Sequence, residues 1–227
     1  TLIINIKIYK DMAITKLEQI IEAVKNKPKR KLVAAYANDA HTIEAVNNAV
    51  KLGIIDAILV GDEATIKGVC EKEGIDVSQF TIIQESDEQK TANTAVKMIN
   101  EGHGDILMKG LVSSDKYMRA ILNKEYGILP PKAVLSHITM MEVPTYHKLL
   151  LLSDVAVLPA PDLSQKVAIT NYVIKAAQSL GIENPKVALV AATEQMTPSM
   201  QACVDAAIIS KMADRGQIKG AIVDGPL

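Results

Sequence analysis

This chain has no tryptophan, one phenylalanine and six tyrosines among its 227 residues. So few aromatic faces exclude base-stacking platforms and aromatic cages as the basis of recognition. The core must therefore be aliphatic and alanine-rich, which suits helices packed closely on a sheet. Cysteine is scarce as well: Cys70 and Cys203 both fall inside helical patterns, without a neighbouring histidine or a glycine elbow. They read as reduced, small hydrophobes of a cytoplasmic protein. A net charge of −1 leaves no basic stripe for nucleic acid. No apolar run approaches the roughly 18 residues that span a bilayer. The segment Thr1 to Lys10 alternates charged and apolar residues and lacks the core of a signal peptide.

Several catalytic signatures are missing too. Neither GxxxxGK[ST] nor GxGxxG occurs, and there is no GxSxG elbow. His41, His103, His137 and His147 show no HExxH or HxxxH spacing, so no metal site is expected. His41 and His103 read as solvated loop residues, while His137 falls in a strand, facing either a cleft or the core. The chain also starts without Met and stops at Val223-Asp224-Gly225-Pro226-Leu227, just after a strand-like run. Both ends therefore read as cut.

What is present is pointed. Ile106 to Met108 is a short apolar strand that ends at Lys109-Gly110, and Ser113-Ser114 follow. Met118, Ile121 and Leu122 then recur at helical spacing. Either serine is the expected N-cap, its hydroxyl accepting from a first-turn amide. Unpaired N–H groups and a partial positive charge make such a helix start receptive to phosphate. Lys109 and Arg119 can converge on the same anion. A strand, a glycine turn and a serine cap are equally the grammar of any β-α unit, and Lys109 is equally a strand-end lysine on a solvated rim.

Strand-like and helix-like segments alternate along the chain. Helices are expected over Met12 to Lys25, Asp39 to Leu52, Glu63 to Glu73, Glu88 to Glu101, the segment ending at Lys124, Leu163 to Leu180, and Pro198 to Met212. Strands are expected at Leu32 to Tyr36, Ala57 to Val60, Phe80 to Gln84, Ile106 to Met108, Ala133 to Thr139, Leu149 to Leu158, Lys186 to Ala191, and Gly220 to Val223. Pro130-Pro131 marks the break between a first α/β domain, 1–130, lacking a return segment, and an incomplete second one, 131–227. The fold class is α/β with doubly wound, mostly parallel sheets. Ligands of such sheets bind beyond the carboxyl ends of the strands. There, Asp39, Asp62 and Asp162 read first as helix caps. Thr193, in Thr193-Glu194-Gln195, reads as a capping segment or a cleft wall. Asp224 reads as a turn residue or a strand-end carboxylate. Asp205 and Asp214 read as solvated helix residues.

Taken together, Lys109-Gly110-Leu111-Val112-Ser113-Ser114-Asp115, Arg119, Leu122-Asn123-Lys124-Glu125, Leu135-Ser136-His137, Ala160-Pro161-Asp162-Leu163, Lys211 to Gly220 and Val223 to Leu227 resemble the phosphate acetyl/butyryltransferase family, its butyryl branch above all. The likeness runs from about Lys31 to Leu227. It implies a cytoplasmic, homodimeric enzyme of isocitrate-dehydrogenase-like architecture. Such an enzyme moves a short acyl group, butyryl favoured, between coenzyme A and inorganic phosphate. Coenzyme A is then a substrate, with no permanently bound cofactor and no metal. The resemblance implies that Ser113 and Ser114 with their amides hold the phosphoryl group, that Arg119 neutralises it, and that Lys109 is a second cation. It adds Gly110, His137, Thr193 and Asp224 to the substrate-binding set. Ser114 stands where threonine is common in the butyryl branch, and the hydroxyl is kept. In the family, the residues that meet the coenzyme lie near a carboxyl terminus that this chain stops short of. Weak or no turnover is accordingly expected of this polypeptide. The alternative is a non-catalytic protein that binds acyl phosphate, and a fainter one is a metal-dependent dehydrogenase.

Overall fold

The computed structural model describes residues 13–227. The expected helix start at Met12 and the segment Thr1 to Lys10 lie outside the described residues. The chain divides into two units. Val24–Ala133 forms one, and Val134–Leu227 with the described residues before Val24 forms the other. The first helix, α1, is Leu17–Lys25. Its start is tied down by Glu142, which accepts from Leu17 N at 2.9 Å and from Lys16 Nζ at 2.9 Å.

In the unit Val24–Ala133, four strands form a parallel sheet: β1 (Arg30–Ala35), β2 (Ile55–Gly61), β3 (Phe80–Gln84) and β4 (Ile106–Lys109). Between them run α2 (Ala40–Lys51), α3 (Glu63–Lys72) and α4 (Glu88–Asn100), and α5 (Ser114–Ile121) follows β4. Val33, Ala34, Ala35, Leu59 and Val60 are fully buried, as expected of parallel strands covered on both faces. On one face Leu32, Ala34 and Leu59 pack with Ile43 and Val46 of α2 and with Ile66 and Cys70 of α3. Val33 and Ala35 alternate to the other face. There α4 lies across β1, β2 and β4 with Ala92, Ala95 and Val96 buried. Alanine at these positions lets the helix axis approach the sheet. Asp39, Asp62 and Asp87 cap α2, α3 and α4 through the amides of Thr42, Thr65 and Lys90, each bond contributing about 1 kcal/mol.

The strand order is β3-β2-β1-β4. The chain winds outward from β1 through β2 to β3, then returns to the opposite side of β1 for β4. The crevice between the carboxyl ends of β1 and β4 is therefore the topological switch point of this sheet, where ligands of doubly wound sheets bind.

The other unit holds two small sheets. β5 (Thr139–Met141) pairs antiparallel with β6 (Leu150–Leu152), and β7 (Lys186–Ala188) pairs parallel with β8 (Ile222–Asp224). α6 (Leu163–Ser179) starts in a capping box between Asp162 and Gln165. α7 (Gln201–Asp214) packs with α6 over a core of Ile174, Ile209, Ile218 and Val223.

Three expectations need correction. The hairpin strands are much shorter than Ala133 to Thr139 and Leu149 to Leu158, and His137 lies before β5, outside any strand. Asp154 is the reason. Its carboxylate draws the backbone before β5 and after β6, at the same end of the pair, into turns, accepting from Ser136 Oγ and His137 N on one side and from Ala156 N and Val157 N on the other. α5 stops at Ile121 rather than Lys124, because Asn123 Oδ1 accepts from Glu125 N and Tyr126 N and competes with helical bonding. Asp205 is not solvated: it is 2% exposed, bound to Lys166 Nζ at 2.5 Å and Gln201 Nε2 at 2.7 Å. Both cysteines are buried and free. Among the described residues, no helix is long and apolar enough to cross a membrane.

Candidate active site

The carboxyl rim of the parallel sheet is stitched strand to strand. Glu85 N donates to Gly61 O at 2.9 Å, and Asp62 N donates to Asn38 Oδ1 at 3.0 Å. At the end of β1 the backbone turns sharply, with Tyr36 at φ 58°. The loop after β4 lies directly on this turn. Gly110 N donates to Ala35 O and Leu111 N to Tyr36 O, both at 2.9 Å. A Cβ at Gly110 would stand 2.6 Å from Tyr36 O and 2.7 Å from Ala35 O. Only glycine fits this close approach of two backbones at the switch point.

Ser113 is the N-cap of α5, as expected, but its hydroxyl makes no capping bond. Its amide donates to Glu88 Oε1 at 2.5 Å, and Lys116 Nζ pairs with Glu88 Oε2. Lys116, the Ser113 amide and the Ser113 hydroxyl hold the Glu88 carboxyl down at about 2, below the usual range. The same contact raises the Lys116 ammonium. Ser113 Oγ is itself buried and, among the described residues, has no well-aligned hydrogen-bond partner. It lies close enough to Asp115 to be the first cause of that carboxyl's lowered pKa. We read it as near both carboxylates but bonded to neither. It therefore lies beside the start of α5 between two carboxylates, those of Glu88 and Asp115.

Lys109, Gly110, Ser113, Ser114 and Arg119 thus share one loop and helix, with Ser114 exposed. Among the described residues, the Lys109 ammonium approaches only Gly110 O, at 3.5 Å. The Arg119 guanidinium is 76% exposed and 3.8 Å from Asp115, one turn back. Both cations are therefore at the surface and weakly engaged, since exposed pairs of this kind contribute only about 0–1 kcal/mol.

The other expected residues belong to the second unit. Thr193 lies beyond the carboxyl end of β7, and Asp224 is the last residue of β8. Asp224 Oδ1 accepts from Gly225 N at 2.9 Å, and Thr193 Oγ1 accepts from Gln195 N at 3.2 Å. His137 Nδ1 is 3.3 Å from Thr139 Oγ1, and Ser153 Oγ donates to His137 O at 2.6 Å. Asp154 carries the strongest local network. Burial opposes ionisation of its carboxyl, but the amides of Val157, Ala156 and His137 outweigh that and hold it well below the usual carboxylate range. Among the described residues, no three His, Cys, Asp or Glu side chains are arranged to hold a metal ion.

The chain as a whole is similar to known proteins. A family profile described as phosphate acetyl/butaryl transferase matches residues 15–97 and 85–227. The phosphate butyryltransferase of Clostridium acetobutylicum is 45% identical over 214 residues, which cover 94% of this chain and 71% of that protein. The chain belongs to the phosphate acetyl/butaryl transferase family. Its likeness extends to the acetyl branch, with 37% identity over 210 residues to the phosphate acetyltransferase of Thermotoga maritima, covering 92% of this chain and 70% of that one. Among solved structures, a branched-chain phosphotransacylase from Enterococcus faecalis superposes with a TM-score of 0.72 at 27% identity. That match covers 87% of this chain and 68% of the other. As a member of this transferase family the chain has an enzyme's fold, with Ser113 at the start of α5 and Arg119 within it.

Nothing in the spacing of the sequence marks Glu88. It follows the cap Asp87 and reads simply as an acid in a first helical turn, favourable to the helix dipole. Its bond to the Ser113 amide joins residues 25 apart.

Proposed function

We propose that this protein is a phosphate acyltransferase. It moves a short acyl group, butyryl favoured, between coenzyme A and inorganic phosphate. Family membership and the names of the relatives support the reaction class. The observation that carries the site is the Ser113 hydroxyl, buried and unpaired at a helix start beside the switch point. Phosphate is the dianion that such a site suits, since amides and cations fixed in advance stabilise charge without reorganising. In this reading Ser113 and Ser114 hold the phosphoryl group, Arg119 leaves Asp115 to neutralise it, and Lys109 adds a second positive charge. Gly110 keeps the loop close to Tyr36. His137, Thr193 and Asp224 belong to the acyl-coenzyme A side. We further propose an isocitrate-dehydrogenase-like pair of domains that breaks near Pro130-Pro131, a homodimeric assembly, a cytoplasmic setting, and no permanently bound cofactor.

A chain-length series of acyl-coenzyme A esters, assayed for phosphate-dependent thiol release, tests the reaction. Arg119→Ala is expected to raise the KM for phosphate by about tenfold, the loss of one charge-assisted contact. Thiol release independent of phosphate would falsify the assignment. One methylene in a pocket is worth only about 1–3 kcal/mol, so the preferred chain length has to be read from the series.

A further inference from the structure

α5 is a short helix of eight residues without a side-chain cap. A helix of that length is marginal by itself and depends on outside anchors. Two amides of the preceding loop, those of Gly110 and Leu111, are tied to the end of β1. The third tie is different: the Ser113 amide is held by Glu88, which stands on the first turn of α4. α4 is itself fixed, capped by Asp87 and seated on the sheet through Ala92, Ala95 and Val96.

We propose that Glu88 is a positioning residue for phosphate. By bridging the Ser113 amide and the Lys116 ammonium, its carboxylate fixes the Gly110–Ser114 loop that carries the phosphate-binding residues proposed above. The inference rests on the phosphate site proposed above. Both Glu88 oxygens are engaged within the protein, and a carboxylate alone would repel rather than bind a phosphate dianion, so the residue acts through the loop. Lys116 serves a second purpose. Its charge cancels that of Glu88, so the carboxylate shapes the loop without repelling an incoming dianion. A neutral acceptor at position 88 would retain the bond to the Ser113 amide but lose most of the hold on Lys116.

The test is calorimetric titration of inorganic phosphate into the wild-type chain and into Glu88→Ala, Glu88→Gln and Arg119→Ala, with the melting temperature of each measured separately. Glu88→Ala is expected to weaken phosphate binding about five- to tenfold, and Glu88→Gln about twofold, because the amide oxygen still accepts from Ser113. A residue that merely supports the fold would lower the melting temperature and leave the phosphate Kd of the folded protein unchanged. If Glu88→Ala binds phosphate like the wild type while Arg119→Ala does not, the role of Glu88 is refuted and the site stands. If Arg119→Ala also binds like the wild type, or the wild type gives no saturable heat, the site itself is refuted and Glu88 with it. Should Glu88→Ala fail to fold, Lys116→Met decides: binding weakened about twofold or more upholds the proposal, and an unchanged Kd overturns it.

Discussion

Gly110 lies against the carbonyl of Tyr36, so close that a methyl group there would stand 2.6 Å from that oxygen. The contact joins the carboxyl ends of β1 and β4 and fixes where the loop to α5 begins. Both backbones are held by hydrogen bonds, so neither can retreat without breaking one. Gly110→Ala is expected to cost about 1–3 kcal/mol, the usual range for overpacking a fixed site. It should also weaken phosphate binding, because the loop must shift. Urea unfolding gives the first quantity and phosphate titration the second. An alanine variant with wild-type values of both would mean that the loop is not held here.

Ser113→Ala separates stability from function. Removing a buried hydroxyl that has no partner relieves a desolvation cost, so the free protein should be unchanged or up to about 1 kcal/mol more stable. The same change should weaken phosphate binding. A loss of stability greater than about 1 kcal/mol would show that the hydroxyl is bonded in the free protein, to Glu88 or Asp115.

Lys166 and Asp205 tie α6 to α7 at 2.5 Å, with the Asp205 side chain 3% exposed. Removing one partner of such a pair strands the other charge, typically at about 3–5 kcal/mol. The Lys166 side chain keeps 28% of its exposure, so Asp205→Leu should fall at or below the lower end of that range. The double variant Lys166→Met/Asp205→Leu should recover most of the loss. A double-mutant cycle in urea checks the coupling, and strict additivity would refute it.

Acid unfolding carries a further expectation. The Glu88 carboxyl is lowered to about 2 by Lys116 and by Ser113. Burial raises that of Asp205, but its hydrogen bonds to Lys166 and Gln201 prevail and leave it lowered too. A carboxyl depressed in the folded state stabilises above its unfolded pKa of about 4, and that contribution is lost as pH falls through the folded value. For Glu88 the window runs from about 4.3 down to about 2. Glu88→Gln should flatten the fall of stability across that window and leave the slope near neutrality unchanged. Melting temperatures measured across the range decide it.

Asp154 offers a direct test of the hairpin turns. Its two oxygens accept four bonds, from Ser136 Oγ and the amides of His137, Ala156 and Val157. Asparagine must turn an NH2 group toward donors on one side. Asp154→Asn should cost about 1.5–3 kcal/mol, the scale of losing a hydrogen bond to a charged acceptor. Equal stability of the asparagine variant, measured in urea, would mean the four bonds are worth little.

The sequence by itself determined the elements whose signals are local. Phe80 to Gln84 is read to the residue, and Asp39, Asp62 and Asp162 cap helices as their types predict. Each of these depends on atoms only a few positions apart, which propensity and periodicity record. The loop from Lys109 to Ser114 was legible for the same reason. Tertiary structure alone decided what the loop rests on and who holds it. The ties from Gly110 to Ala35 and from Ser113 to Glu88 cross 75 and 25 positions. Tertiary structure also took the Ser113 hydroxyl out of its expected capping bond, buried Asp205 against Lys166, and broke the hairpin strands around Asp154. Such contacts are set by packing between distant segments, and the energy of burying a charge or a hydroxyl depends on neighbours that spacing along a chain does not encode.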